Sequence, residues 1–370
     1  MVPTLEDAQA TGTQTLGKVL AQLTRPGALY EPLPDDWVRC YACGHRCKVP
    51  PGRPGICRVR FNEAGVLRVP AGYVGALQCD PVEKKPFFHA LPGSVALSFG
   101  MLGCDLHCAY CQNFVTSQAL RDPVSDTYAR PTVVAAERLA QEALRLGAPI
   151  IASTYNEPLI TSEWAVEVFT HAKAQGLTCA YISNGNGTPE VLDYLRPWVD
   201  LYKVDLKCFD DKHYRELGGV LENVLKTISL LHQKGFWLEI VTLVIPGFND
   251  SHDELRRMAE FLAGISPQIP WHVTAFHQDY KMRDRDNTSV KSLVRAADIG
   301  VKAGLHFVYA GNLPGRVGPY ENTYCPTCHT LLIERHGYTI LRNVMRDATC
   351  PRCRSAIPGV WRSHGDQASS

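Results

Sequence analysis

The chain lacks an excess of charge of either sign: 38 Lys and Arg stand against 37 Asp and Glu in 370 residues. Such a balance leaves no global field to gather nucleic acid or an anionic membrane, although a local basic patch is compatible with it. No apolar run is long enough to span a bilayer. The first residues, Met-Val-Pro-Thr-Leu-Glu-Asp-Ala, show no basic stretch ahead of an apolar core. The expectation is a soluble cytoplasmic protein with no membrane partner and little reason to bind nucleic acid. Short tandem repeats are missing, and no cysteine lies between Cys111 and Cys179. That gap stands out because cysteine is otherwise abundant.

Fourteen cysteines in a short secreted chain would read as disulfides. In a long chain expected to be cytoplasmic, C-x2-C spacings point to metal. They fall into three groups: Cys40, Cys43, Cys47 and Cys57; then Cys104, Cys108 and Cys111; then Cys325, Cys328, Cys350 and Cys353. Cys79, Cys179 and Cys208 are left over, and a lone cysteine is most often a small packing residue. The last group forms two C-P-x-C knuckles around a hairpin-like stretch at 331–340, the pattern of a zinc ribbon or a rubredoxin-like site. A tetrahedron of thiolates suits zinc and iron alike. The first group reads as zinc or an auxiliary iron–sulfur cluster. Only the middle group stops one ligand short of four.

Between the outer groups the text alternates strand and helix. Strands are expected over 95–102, 150–155, 178–183, 201–206, 237–245, 271–276 and 306–309. Helices are expected over 131–146, 161–175, 189–195, 220–234, 251–262 and 289–303. Such alternation implies a parallel sheet covered by helices, either doubly wound or a barrel. The divisions expected are a lead-in arm at 1–36 with a short helix near 15–23, a Cys-rich metal-binding module at 37–90, the α/β domain at 91–318, the ribbon module at 319–360 and a disordered tail at 361–370.

In parallel α/β folds ligands bind at the carboxyl ends of the strands. The trio Cys104, Cys108 and Cys111 follows the first such strand, in the run Met-Leu-Gly-Cys-Asp-Leu-His-Cys-Ala-Tyr-Cys-Gln-Asn. A [4Fe–4S] cluster has four irons, so three thiolates leave one iron open. This C-x3-C-x2-C spacing, with Tyr110 before the last cysteine, resembles the signature of the radical S-adenosylmethionine (SAM) superfamily. The later strand ends then become candidates for the same site. Asn156 and Glu157, in Thr154-Tyr-Asn-Glu-Pro158, are placed to hold the methionyl ammonium of SAM, or Glu157 simply faces a helix N-terminus. Ser183 and Asn184 suit ribose hydroxyls or a turn. Asp205 and Lys207 share a strand face and imply a polar site. His277 and Tyr280 are candidate acid–base groups for the substrate, or rim residues.

The resemblance widens with Asp80-Pro-Val-Glu-Lys-Lys-Pro86 upstream, Phe276-His-Gln-Asp-Tyr280 and the closing ribbon text downstream. From about Tyr30 to Pro358 the chain resembles the radical SAM member of the AmmeMemoRadiSam system, a pyruvate formate-lyase-activating-enzyme-like branch. That resemblance implies a partial (β/α)6 TIM-like barrel over 91–318, one [4Fe–4S] cluster on the three cysteines and SAM as cofactor. It also implies Tyr110 near the adenine, Asn156 and Glu157 at the methionyl amine, Ser183 near the ribose, a low-potential electron donor and Memo-like companion proteins. Tyr-Asn-Glu-Pro replaces the more common Gly-Gly-Glu-Pro, and the ferredoxin-like insert of many glycyl-radical activases is missing. The reaction expected is reductive cleavage of SAM to a 5′-deoxyadenosyl radical that modifies an unknown substrate. Glycyl-radical activation is an alternative, and a zinc-stabilised nucleic-acid- or protein-binding module is the rival of a different class.

Overall fold

The computed structural model describes residues 15–363 and 365. Most of the expected tail at 361–370, and the first part of the arm at 1–36, lie outside the described residues. The centre is an eight-stranded sheet. Its strands are β1 (Ala76–Pro81), β2 (Val95–Gly100), β3 (Ile150–Ser153), β4 (Thr178–Ser183), β5 (Leu201–Asp205), β6 (Trp237–Val244), β7 (Trp271–Ala275) and β8 (Val308–Gly311). They lie side by side in chain order. β2 to β8 are parallel throughout, and β1 pairs antiparallel with β2. The parallel strands thus number seven, one more than a (β/α)6 count, because Val308–Gly311 adds beside β7. β1 falls within the expected Cys-rich module yet belongs to this sheet.

The parallel strands are buried runs rich in Ile, Val, Leu and Tyr, as strands covered by helices must be. Helices connect them, and the six of seven residues or more are α1 (Ala136–Arg145), α2 (Ser162–Ala174), α3 (Pro189–Leu195), α4 (Leu221–Gln233), α5 (His252–Ile265) and α6 (Val290–Lys302). Their starts carry local signals. Thr188 caps α3 by accepting from Val191 N with Pro189 in the first turn, and Ser251 and Ser289 cap α5 and α6 in the same manner. α2 buries Trp164, Ala165, Val168, Phe169 and Ala172. Trp164 meets Phe99 of β2 edge-on, with ring centroids 5.6 Å apart. Each such large side chain contributes about 1.5–3 kcal/mol by leaving water.

One helix starts later than its sequence pattern indicates. Thr132–Val133 pairs with Tyr73–Val74 as a two-residue strand, and α1 begins only at Ala136. The β-branched run Thr132-Val133-Val134 favours extended backbone, and that preference overrides Pro131 as a helix start.

The sheet does not close on itself, because β1 and β8 are unpaired with each other. Residues 82–91 and a C-terminal hairpin, β9 (Leu331–His336) and β10 (Thr339–Asn343), span the gap. Arg335 of β9 donates to Phe88 O at 2.9 Å and to Thr323 Oγ1 at 2.7 Å. Phe88, Phe307, Tyr309, Leu332, Ile333 and Ile357 pack into one apolar cluster with Cys325 and Cys350. At the other end, small sheets formed by Thr24–Pro26, Phe61–Glu63 and Val66–Pro70, and by Tyr30–Pro32, Val38–Cys40 and Lys48–Val49, cover the α2 side. The arm expected at 1–36 therefore contributes strands to the Cys-rich module. Buried Arg60 fastens that module to α2 through a two-pronged ion pair with Glu163, at 2.7 and 2.8 Å.

Candidate functional site

A cavity of about 900 Å³ opens at the carboxyl ends of the strands. Residues from both unpaired edges, Asp80 on β1 and Tyr309 on β8, line it together with residues of β4 to β7, so the sheet curls around it. Cys104, Cys108 and Cys111 all line this cavity, and no other cysteine among the described residues does. Their loop is held from several sides. Leu106 N donates to Cys104 Sγ at 3.4 Å, Cys111 Sγ and Ser117 Oγ lie 3.1 Å apart, and Gln118 Nε2 donates to Leu106 O at 3.3 Å. Burial pushes all three thiols up, Cys108 to about 11. Thiols held in this state ionise when a cationic centre replaces their protons, which is the behaviour of metal-binding cysteines.

The end of β3 approaches that loop closely. A Cβ on Gly100 would lie 2.3 Å from Thr154 O, so only glycine fits there. Tyr155 adopts a left-handed φ of 71°, and its carbonyl accepts from Thr116 Oγ1 at 2.9 Å. Asn156 Oδ1 accepts from Met101 N at 3.0 Å, tying β3 to β2. Glu157 sits at the start of a short 3-10 helix and accepts from Leu159 N, as the helix-terminus reading anticipates. The same carboxylate also accepts from Ser183 Oγ and Asn184 N, each at 2.7 Å. Ser183 and Asn184 are thus positioned by Glu157.

Asn184 Nδ2 and Asn186 Nδ2 both donate to the buried carboxylate of Asp105 at 2.7 Å. Burial, and then the nearby charge of Asp105, push Glu157 up to about 8. Glu157 has no Lys or Arg ion-pair partner among the described residues. Two buried carboxylates beside three thiols make a site that a bound cation would stabilise.

Asp205 lies opposite, between two lysines. Lys203 Nζ donates to it at 2.5 Å, and Lys207 Nζ is 3.7 Å away. Burial pushes Asp205 up, but the two lysines more than offset this and hold it below its ordinary range. Burial works against charge on Lys207 too, yet Asp205, then Cys108, keep it protonated. Lys207 also lies over the Tyr110 ring, 5.9 Å from its centroid. Tyr110 is buried and lines the cavity.

Tyr110, Asn156, Glu157, Ser183, Asn184, Asp205 and Lys207 therefore meet around the trio. His277 and Tyr280 do not line the cavity. His277 is exposed, its Nε2 2.8 Å from Gln112 Nε2. Tyr280 donates to Asp122 Oδ2 at 2.8 Å and stacks on Phe114. Their loop instead packs over the cysteine loop, with the Lys281 and Met282 amides donating to Ala109 O.

Several lining residues lie beyond the motifs. Lys203 had a signal, since it shares a strand face with Asp205 at two-residue spacing. Asp105, buried beside the cavity without lining it, lies inside the cysteine run. His272 on β7, 2.7 Å from buried Glu239 of β6, has no local mark because the pairing comes from sheet register. Asn312 and the hairpin-tip residues His336 and Tyr338 reach the cavity only through the tertiary fold.

The ribbon cysteines form a second, separate site. The sulfurs of Cys325, Cys328, Cys350 and Cys353 all lie within 4.8 Å of one another, an arrangement able to hold a metal ion. Contact with Ser355 brings the Cys353 thiol down to about 6, ready to bind as thiolate at neutral pH.

Residues 100–262 match the family model described as the radical SAM superfamily. An uncharacterized protein of Methanocaldococcus jannaschii is 35% identical over 332 residues, covering 89% of this chain and 97% of that one. A pyruvate formate-lyase-activating enzyme of Staphylococcus epidermidis is 27% identical over 189 residues, covering 48% of this chain and 72% of the relative. Among solved structures, a domain of the pyruvate-formate lyase-activating enzyme from Bacteroides vulgatus is 22% identical with a TM-score of 0.39, covering 44% of this chain and 98% of that one.

Proposed function

The chain belongs to the radical SAM superfamily and is an enzyme of that class, and we propose that Cys104, Cys108 and Cys111 hold its [4Fe–4S] cluster with SAM bound against it in the cavity. The observation that carries this reading is the set of three cavity-lining thiols beside two buried carboxylates that no lysine or arginine neutralises. Held by these residues, the cluster and SAM would supply reductive cleavage of a C–S bond of SAM and, through it, hydrogen-atom abstraction from the substrate.

The chain's own residues bind and orient. Glu157, through the one acceptor position left on Oε2, takes the methionyl ammonium, and Asn156 stands beside it. Ser183 and Asn184 face the ribose, and Tyr110 offers its ring to the adenine. Lys203, Asp205 and Lys207 hold a fixed array of charge on the substrate side. Asp105 and its asparagine partners keep water from the thiol loop and fix its shape.

Anaerobic reconstitution with iron, sulfide, dithionite and SAM tests the reading. It expects 5′-deoxyadenosine from the wild type and none from Cys104→Ala; equal yields would sink it. The substrate reading is a molecule modified together with Memo-like companion proteins, with a low-potential donor supplying electrons. Similarity to pyruvate formate-lyase-activating enzymes favours a second reading, a protein glycine as substrate. A glycyl doublet in the electron paramagnetic resonance (EPR) spectrum of a candidate partner would separate the two. At the ribbon, zinc is the metal proposed, from the tight convergence of four thiols.

A further inference from the structure

Cys40, Cys43, Cys47 and Cys57 take no part in lining the cavity. Cys40, Cys43 and Cys57 are buried, Cys47 is half-buried, and none is in a disulfide. Tight turns fold the segment that carries them. Cys40 N donates to Cys47 O at 3.0 Å, Arg46 N to Cys43 O at 3.1 Å, and Arg58 N to Gly55 O at 2.9 Å. The backbone of Ile56 lies beside the Cys47 sulfur, and that of Val59 and Arg60 beside the Cys57 sulfur.

Sulfur spacing separates these cysteines from the ribbon. One zinc ion binds four thiolates at about 2.3 Å in a tetrahedron, which sets its sulfurs about 3.8 Å apart. The ribbon meets this, with Cys325 to Cys353 at 3.5 Å and Cys328 to Cys350 at 3.6 Å. Among the described residues, the ribbon is the only set of three or more candidate ligands whose atoms all lie within 4.8 Å. Neither the upstream four nor the cavity trio draws in so far. A cubane cluster spreads its thiolates because each binds a different iron. The upstream four, like the trio, fall outside the spacing of a single-ion site.

The upstream cysteines also lie against the trio loop. Gly103, just before Cys104, packs on the carbonyl of Cys57; a Cβ there would stand 3.3 Å from that oxygen. His45, between Cys43 and Cys47, places Nε2 3.2 Å from Asp105 O. Gly44 N donates to Asn186 O at 2.7 Å, and Asn186 in turn holds Asp105. Residues adjoining ligands on one side thus touch residues adjoining ligands on the other.

We propose that Cys40, Cys43, Cys47 and Cys57 hold a second iron–sulfur cluster, which passes single electrons through the Cys57–Gly103 and His45–Asp105 contacts to the cluster on Cys104, Cys108 and Cys111. The relay half rests on the reading of the trio given above. A low-potential one-electron donor reduces the outer cluster, which is reoxidised as the inner one gains the electron. No bond forms or breaks in the transfer.

The test uses the full chain, reconstituted anaerobically with iron and sulfide. Wild type is expected to carry about eight irons and zinc only at the ribbon. The triple variant Cys104→Ala, Cys108→Ala, Cys111→Ala is expected to stay brown with half that iron and to give an EPR signal after dithionite reduction. Reduced clusters in contact perturb each other's spectra. The wild-type spectrum should therefore differ from the sum of the triple variant's and that of Cys43→Ser, Cys47→Ser. A colourless triple variant, or a second zinc per wild-type chain, overturns the site. Spectra that simply add overturn the relay. If the serine variant precipitates, the iron and zinc content of wild type decides the site alone. Failure of the trio reading would show instead as wild type making no 5′-deoxyadenosine while the triple variant keeps its iron.

Discussion

Glu157 carries the clearest pH signature of any single residue in the cavity. Its pKa, raised to about 8 by burial and by Asp105, means that near pH 7 the folded protein keeps a proton that the unfolded chain releases. The sign follows from linkage: without SAM, stability declines as pH rises from the ordinary carboxyl range through 8, as the buried charge becomes obligatory. An ammonium bound there needs the carboxylate form. SAM affinity measured by calorimetry should therefore tighten between pH 6.5 and 8.5. In Glu157→Gln this dependence should vanish and binding should weaken by about tenfold or more at pH 8.5, the worth of a charge-assisted hydrogen bond. A variant that keeps the wild-type pH profile would remove Glu157 from that role.

Residues of this kind were legible in the sequence where chemistry is local. Cys104, Cys108, Cys111, Asn156 and Glu157 sit in short motifs whose spacing announces them. His272 and Tyr338 carry no such mark, because sheet register and a hairpin contact bring them to the cavity.

Among the elements, hydrophobic periodicity located the strands of the sheet well. β4 and α3 coincide with the expected spans 178–183 and 189–195, where apolar runs end in strong turn and cap residues. It located the arm less well, since two- and three-residue strands are too short to show a period, and β1 less well because that strand is mostly exposed and has no buried face to mark it. The docking of the Cys-rich module includes one buried ion pair that sequence does not reveal, Arg60 with Glu163. Removing one partner strands a buried charge, so Glu163→Ala should lower stability by about 3–5 kcal/mol. Replacing both, as Arg60→Met with Glu163→Leu, should recover most of that loss. Urea denaturation of the two variants checks it; equal losses would show that packing, not charge, holds the module. At the opposite end the ribbon tethers the hairpin that reaches the cavity. Cys328→Ser, or chelation of the ribbon metal, is expected to speed proteolysis within 331–343 while the central sheet stays resistant.

At the scale of the whole molecule, a net charge of +1 hides a local concentration. From 37 to 62 the chain carries Arg39, Arg46, Lys48, Arg53, Arg58 and Arg60 and no acidic residue. Arg39, Arg46 and Arg60 are paired to Glu31, Glu190 and Glu163. Lys48 and Arg53 stand exposed, with no salt bridge among the described residues. The low-potential donor proposed above is expected to dock against these two cations. Reduction of the enzyme by reduced flavodoxin, followed by stopped-flow absorbance, should slow several-fold in Lys48→Glu, Arg53→Glu and as salt is raised. Reduction by dithionite should not respond to the substitutions; an equal effect on both reductants would dismiss the docking face.

The unclosed sheet has a consequence for how the molecule is made. The contacts that seal its gap join residues far apart in the chain, Arg335 to Phe88 across 247 positions and His89 to Pro358 across 269. Contacts of such separation are the slowest to form. They also require the last part of the chain to emerge from the ribosome. Until those contacts form, the sheet is expected to stand open on one flank. The cluster proposed for the trio would find an entry route during that interval, and oxygen the same one. Pulse-labelled hydrogen exchange during refolding should find the amides of β9 and β10 protected after those of β3 to β6.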